Sequence, residues 1–296
     1  MGATGLEQLS AQGGTAPLYF YTALGASIPL DGWFRGRACF LICNGPSLAD
    51  ANLGLLRRPG VMTFGMNNGW SVFRPRLWTC VDPPRKFHQA GWHDPCITKF
   101  VPINFAGMRL RVKDAAGKFH ESRYLVRDMP SVLFYQRNCR FEPADFLVEP
   151  SVNYGNTEAL TDSAGVQGKR NVMLSAFRLM HAVGFRTIYL VGADFHMDAR
   201  SGYAFKEHRG RAAIDHNQNQ YHAMAARLEA LRPYFESEGV KVYNCNPTSM
   251  LTTFPHKRLS EAVAEATAHV DVPMDTVGWY AAEKKPRVIV GAEGGD

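Results

Sequence analysis

Short, continuously apolar runs alternate along this chain with longer stretches of helical period. Residues 38–43 (Ala-Cys-Phe-Leu-Ile-Cys) are apolar throughout and stop at Asn44-Gly45-Pro46, the pattern of a strand buried on both faces. Residues 61–66 and 76–81 give two more such runs, ending at Asn67-Asn68-Gly69 and at Asp82-Pro83-Pro84. Between the first two, Ser47 is placed to cap a short helix through about Leu56. Beyond Gly168, Val172, Ala176, Leu179 and Val183 recur at helical spacing beside Met173, Phe177 and Met180, and Gly184 is the stop. Residues 187–192 then predict a buried strand that ends at Asp194. A second helix is expected from about Asn217 to Glu238, with Tyr221, Met224, Ala225, Leu228, Leu231 and Phe235 on one face. Residues 240–243 predict the last strand, before Asn244–Ser249. Residues 84–165 lack a strong helical period and predict one or two strands with long loops, some of which could cap a site.

Strands and helices alternating at these lengths predict an α/β fold, Rossmann-like, with a mostly parallel sheet, helices on both faces and an irregular inserted or cap region. The expected organisation is a lead-in over 1–30, a nucleotide-binding domain over 31–260, and a C-terminal helix with a flexible tail over 261–296. In such sheets ligands bind beyond the carboxyl ends of the strands. The polar clusters Asn44–Ser47, Asn67–Asn68, Asp82, Asp194 and Asn246–Ser249 all fall at expected strand ends.

Composition narrows the class. Apolar residues make up 46% of 296 and charged residues 20%, enough for a sizeable core and against a disordered chain. No run approaches the roughly 18 apolar residues of a membrane span, and the start lacks the basic and apolar parts of an export signal. A cytoplasmic protein is therefore expected, with Cys39, Cys43, Cys80, Cys96, Cys139 and Cys245 reduced. No C-x-x-C pair suggests a zinc site. The formal charge of +6 suits acidic partners such as nucleotides, phosphorylated sugars or nucleic acid, and equally suits plain solubility.

The Asn44-Gly45-Pro46-Ser47 turn is the sharpest chemical feature. Gly45 would let backbone approach a ligand, and the amides opening the next helix would attract phosphate. An ordinary strand-to-helix turn has the same composition, so the residues alone leave both readings open.

Leu41-Ile42-Cys43-Asn44-Gly45-Pro46-Ser47-Leu48 resembles the opening strand and loop of bacterial sialyltransferases of the lipooligosaccharide type. It also resembles the related domain-of-unknown-function proteins that include motility accessory factors. Residues 184–195 and 243–249 carry the resemblance further, in the same order along the chain. The resemblance implies a metal-independent, inverting glycosyltransferase that needs no cofactor beyond a nucleotide-sugar donor. It implies donor contacts at Asn44, Gly45, Pro46, Ser47, Asn67, Asp82, Asn171, Asp194, Asn246 and Ser249. It implies a histidine base at His216, with His208 and His222 as fallbacks, and a leaving-group tyrosine at Tyr203. Where a second tyrosine is expected after Asp194-Phe195, this chain has His196, which can still donate a hydrogen bond to phosphate. The absence of Asp-x-Asp agrees with chemistry that binds no metal.

The acceptor would be a glycan or another hydroxyl-bearing molecule, and a homo-oligomer is allowed. Two basic clusters bear on it. Arg109, Arg111 and Lys113 read as a solvated loop; Lys206, Arg209 and Arg211, beside Tyr203 and Phe205, could face donor phosphate, an anionic acceptor or nucleic acid. Two other readings stand beside the transferase. One is a magnesium-dependent pyrophosphokinase of the hydroxymethylpterin type, with Asp82 and Asp194 holding the metal. The other is a nucleic-acid-binding or nucleic-acid-modifying protein.

Overall fold

The computed structural model describes residues 18–138, 141–153, 171–197, 203–205 and 211–270, without the side chains of Asn153 and of 211–216. The lead-in before Leu18, Cys139, Lys206, His208, Arg209, the side chains of Arg211 and His216, and the tail beyond Val270 lie outside those residues.

Thirteen strands are present among the described residues. They are β1 (Phe20–Tyr21), β2 (Ser27–Ile28), β3 (Ala38–Ile42), β4 (Met62–Met66), β5 (Leu77–Thr79), β6 (Thr98–Pro102), β7 (Arg109–Lys113), β8 (Phe119–Leu125), β9 (Val132–Tyr135), β10 (Arg137–Asn138), β11 (Val152–Asn153), β12 (Thr187–Val191) and β13 (Lys241–Asn244). The helices are α1 (Ser47–Asp50), α2 (Ala90–His93), α3 (Val172–Ala182), α4 (Arg211–Ser237) and α5 (Leu259–Thr267).

Nine strands form one sheet in the order β13-β12-β3-β4-β5-β6-β9-β1-β2. The seven from β13 to β9 are parallel, and β1 and β2 add an antiparallel edge. From β3 the chain steps outward through β4, β5, β6 and β9, then returns to lay β12 on the other side of β3. The order reverses between β3 and β12, and such a reversal opens a crevice at the carboxyl ends.

Both faces of the sheet are covered, which explains the continuous apolar runs. Cys39 and Leu41 of β3 face the core built with α3 and α4, while Phe40 and Ile42 face α1 and α5. Helix α4 packs through Met224, Leu228, Leu231 and Phe235, the face its period predicted. Two strands of the main sheet, β6 and β9, come from the stretch 84–165, and β7 and β8 form a separate antiparallel ribbon there.

Three local expectations are corrected. Helix α1 stops at Asp50, and a 3₁₀ turn over Leu53–Arg57 replaces the single helix expected through Leu56. Pro46, not Ser47, is its N-cap, and it makes no side-chain cap; the Ser47 hydroxyl is used elsewhere. Helix α4 begins at Arg211, six residues before the expected Asn217.

Two buried ionisable groups mark the core. Lys99 is 0% exposed, and its Nζ donates to the carbonyls of Asp94, Ile97 and Pro130 at 2.7, 3.0 and 2.8 Å. His181, 8% exposed on α3, lies 3.6 Å from Glu238. Burial first, then Arg186 and Arg178, lower its pKa from 6.5 to about 3. Unfolded chain then binds a proton below pH 6.5 that the folded chain refuses until about pH 3, so stability falls on acidification through that window. Between pH 7 and 5 this costs about 2 kcal/mol. Urea unfolding at the two pH values should show His181→Gln losing correspondingly less; equal losses in both proteins would clear His181 of the effect.

Candidate functional site

A cavity of about 430 Å³ opens at the reversal between β3 and β12. Its walls come from the loops after β3 (Cys43, Asn44, Gly45), β4 (Met66, Asn67), β5 (Asp82) and β12 (Gly192–Phe195). The start of α3 (Asn171–Met173), Tyr203, and Asn217, Gln220, Tyr221 and Met224 of α4 complete it.

The first loop is held from below by Asp194. Its Oδ2 accepts from the Ser47 hydroxyl at 2.9 Å and the Ser47 amide at 3.3 Å, and its Oδ1 accepts from Asn246 Nδ2 at 2.8 Å. Burial raises the Asp194 pKa against the pull of these donors. Gly45 is required for this arrangement. A Cβ there would sit 1.9 Å from Asp194 Oδ2 and 2.6 Å from the Gly192 carbonyl oxygen. The close approach that Gly45 permits is therefore to Asp194 as well as to the cavity. The Gly45 amide donates to Gly192 O at 2.9 Å, so the Gly45 and Ser47 amides are both engaged within the protein.

The expected site residues divide into two groups. Asn44, Gly45, Asn67, Asp82, Asn171, Asp194 and Tyr203 are brought together on the cavity wall. Pro46, Ser47, Asn246, Ser249 and His196 are not on that wall. Ser47 and Asn246 brace Asp194, while the Ser249 hydroxyl donates to the carbonyl of Ala193 at 2.5 Å. His196 is exposed beside Phe195. His216 lies in the second turn of α4, one turn before Gln220, and its side chain is outside the described residues. His222 is exposed on the same helix.

Several wall groups have particular chemistry. Asn67 has φ 50° and Phe195 φ 54°, left-handed conformations that side chains rarely adopt. Such outliers cluster where a loop is held for a purpose other than stability. The Oδ1 atoms of Asn44 and Asn67 are buried without a hydrogen-bond partner among the described residues. Asn171 caps α3, accepting from the amides of Met173 and Leu174 at 3.0 and 3.3 Å. Asp82 accepts from Lys86 Nζ at 3.1 Å. The Ala204 amide donates to the Asn44 carbonyl at 3.0 Å, tying the segment of Tyr203 to the first loop. Among the described residues, no three His, Cys, Asp or Glu side chains gather as a metal centre would require.

Asn217 and Gln220 were missed by the sequence reading. They continue the apolar stripe of α4 toward its N-terminus with polar side chains, and that change of character along one face was the available signal. No described helix is long and apolar enough to cross a membrane.

No protein-family model matches the chain, and no curated protein does. Among solved structures it is distantly similar to the sialyltransferase CstII from Campylobacter jejuni in complex with cytidine-5'-monophosphate, at 14% identity over 75% of this chain and 85% of that one, with a TM-score of 0.39. The complex of the same enzyme with CMP-3FNeuAc gives 14% identity over 74% and 85%, with a TM-score of 0.39. The CST-II complex with a trisaccharide acceptor and CMP gives 15% over 74% and 85%, with a TM-score of 0.37. These values describe a remote likeness of fold, and no residue role is carried over from them.

Proposed function

We propose that the chain is a glycosyltransferase that binds a nucleotide-sugar donor in the cavity between β3 and β12 and transfers the sugar to an acceptor hydroxyl. The observation that carries this reading is the polar cavity at the strand-order reversal, with Asn44 and Asn67 on its wall. Amide and carboxylate side chains on such a wall can accept from the hydroxyl and amino donors of a ligand. A nucleoside has both kinds of donor. Asp82, Asn217 and Gln220 extend the polar wall.

In the proposed reaction the acceptor oxygen attacks the anomeric carbon and its proton passes to His216. The bond from that carbon to the phosphate oxygen breaks, and the nucleotide leaves with the electron pair. The Tyr203 hydroxyl donates a hydrogen bond to the departing phosphate. Both oxygens of Asp194 already accept from Ser47 and Asn246, which favours this reading over magnesium-held diphosphate transfer.

Thermal unfolding with CMP, CDP, UDP, GDP and ATP, with and without magnesium, tests the binding step. One nucleotide should raise the midpoint without magnesium, by about 2.7 kcal/mol of stabilisation at a hundredfold excess over its Kd. The shift should vanish in Asn67→Ala. A response to ATP that strictly needs magnesium would replace this reading with the pyrophosphokinase. With the donor identified, His216→Ala should slow its hydrolysis at least about a hundredfold; unchanged turnover would remove His216 from the base role.

A further inference from the structure

The cations at 109–113, expected on a solvated loop, instead line a built surface. Strands β7 and β8 pair antiparallel, with Arg111 opposite Glu121 and Lys113 opposite Phe119. Between 109 and 127 the chain has six Lys or Arg and two Asp or Glu, a formal +4 of the total +6. Leu110 is buried; Arg111 and Lys113 keep one register with Glu121 and Phe119, which shifts before Arg109, whose guanidinium donates to the Ser122 carbonyl at 3.2 Å. Among the described residues, no carboxylate is within ion-pair distance of Arg109, Arg111, Lys113, Lys118, Arg123 or Arg127. Phe119, 54% exposed, lies with its ring 5.8 Å from Lys113 Nζ, and the Arg123 guanidinium lies 5.1 Å over Tyr124.

The ribbon adjoins the cavity rim. Strand β7 packs against the turn Pro84–Lys86, and the Arg111 amide donates to Gln89 Oε1 at 2.8 Å. That turn follows Asp82 and Pro83 and adds exposed Arg85 to the basic strip, while Lys86 is paired with Asp82.

We propose that the β7–β8 ribbon and the turn after Asp82 bind a single-stranded nucleic acid and present it to the cavity as the acceptor. Alternate residues of a strand recur about every 6.7 Å on one face, so Arg111 and Lys113 present a short row of cations to the phosphates of one strand. Exposed aromatic rings among cations supply the stacking platform that single strands use. A bilayer is the poorer partner. The apolar residues are split between the two faces, Phe119 with the cations and Val112 opposite His120, which leaves no continuous apolar face to insert.

The acceptor role rests on the transferase reading, but the binding does not, and a donor-free experiment separates them. Fluorescence anisotropy of a labelled oligothymidylate should show binding that weakens with salt. The triple variant Arg111→Ala, Lys113→Ala, Arg123→Ala should lose affinity at least tenfold and reduce the slope of log K against log salt by roughly 2. Phe119→Ala should weaken binding with the slope unchanged. Lys113→Glu alone, a single change at an exposed position, should weaken it too and guards against misfolding of the triple variant. Wild-type affinity in these variants overturns the proposal, as does tighter binding of duplex DNA, heparin or phosphatidylserine vesicles. Oligonucleotide binding without any mononucleotide response removes the acceptor role and the transferase reading together, leaving the strip a binding surface. A mononucleotide response without oligonucleotide binding sinks the strip alone.

Discussion

Gly45→Ala should destabilise the protein by about 3 kcal/mol, the upper end for forcing one methyl into a packed site, and abolish nucleotide binding. The methyl group has no room. At 1.9 Å from Asp194 Oδ2 and 2.6 Å from the Gly192 carbonyl oxygen it meets one fixed side chain and one backbone atom. Asp194 can retreat only by releasing the Ser47 hydroxyl, the Ser47 amide and Asn246. The loop would rise into the cavity and carry Asn44 with it. Urea unfolding measures the first effect and the nucleotide-induced thermal shift the second. A Gly45→Ala protein with wild-type stability and an unaltered shift would mean that the loop repacks freely and that Asp194 does not hold it.

Lys99→Met should cost about 3 kcal/mol, with little effect on the nucleotide site. Methionine matches the length of lysine but leaves the carbonyls of Asp94, Ile97 and Pro130 without their shared donor. Burial lowers the Lys99 pKa to about 8, so the ion is costly to bury, yet at pH 7 it remains protonated and its three hydrogens meet three acceptors. Removing one side of a buried polar cluster exposes the desolvation cost of the other, at about 1 kcal/mol or more for each carbonyl. An unchanged urea midpoint would show that the carbonyls find other donors.

The same lysine shows why part of the fold was hidden. Strands β3, β4, β5 and β12 were legible because neighbours on both sides and helices above and below demand unbroken apolar runs, and the edge strand β13 was marked by the glycine stop of the helix before it. Strand β6 is as deeply buried but carries Lys99 at its second position, and a charge in a strand usually means exposure. Strands β1 and β2 have two residues each, too few for any period.

The site divides on similar grounds. The strand-end rule gathered Asn44, Asn67, Asp82 and Asp194 correctly around one cavity. It could not distinguish a polar side chain facing a ligand from one spent on the protein. Ser47, Asn246 and Ser249 have the composition of contacts, but their bonds go to Asp194 and Ala193. That difference depends on contacts between loops more than fifty residues apart, such as Asn246 and Asp194 or Ser47 and Asp194, and no local pattern records them.

The order of the sheet also sets a timetable for synthesis. Strand β3 lies at its centre, yet one neighbour, β12, begins 149 residues later, with Thr187 pairing to Ala38. At roughly 5–20 residues per second on the ribosome, the apolar edge of β3 waits on the order of ten to thirty seconds for that partner. Strand β1 waits for β9 in the same way, Phe20 for Tyr135. A nascent chain halted before Thr187 ends with an open, apolar central strand, the kind of edge that recruits other chains. The crevice that admits a ligand and the long exposure of that edge have one origin, the late return of the chain to β3.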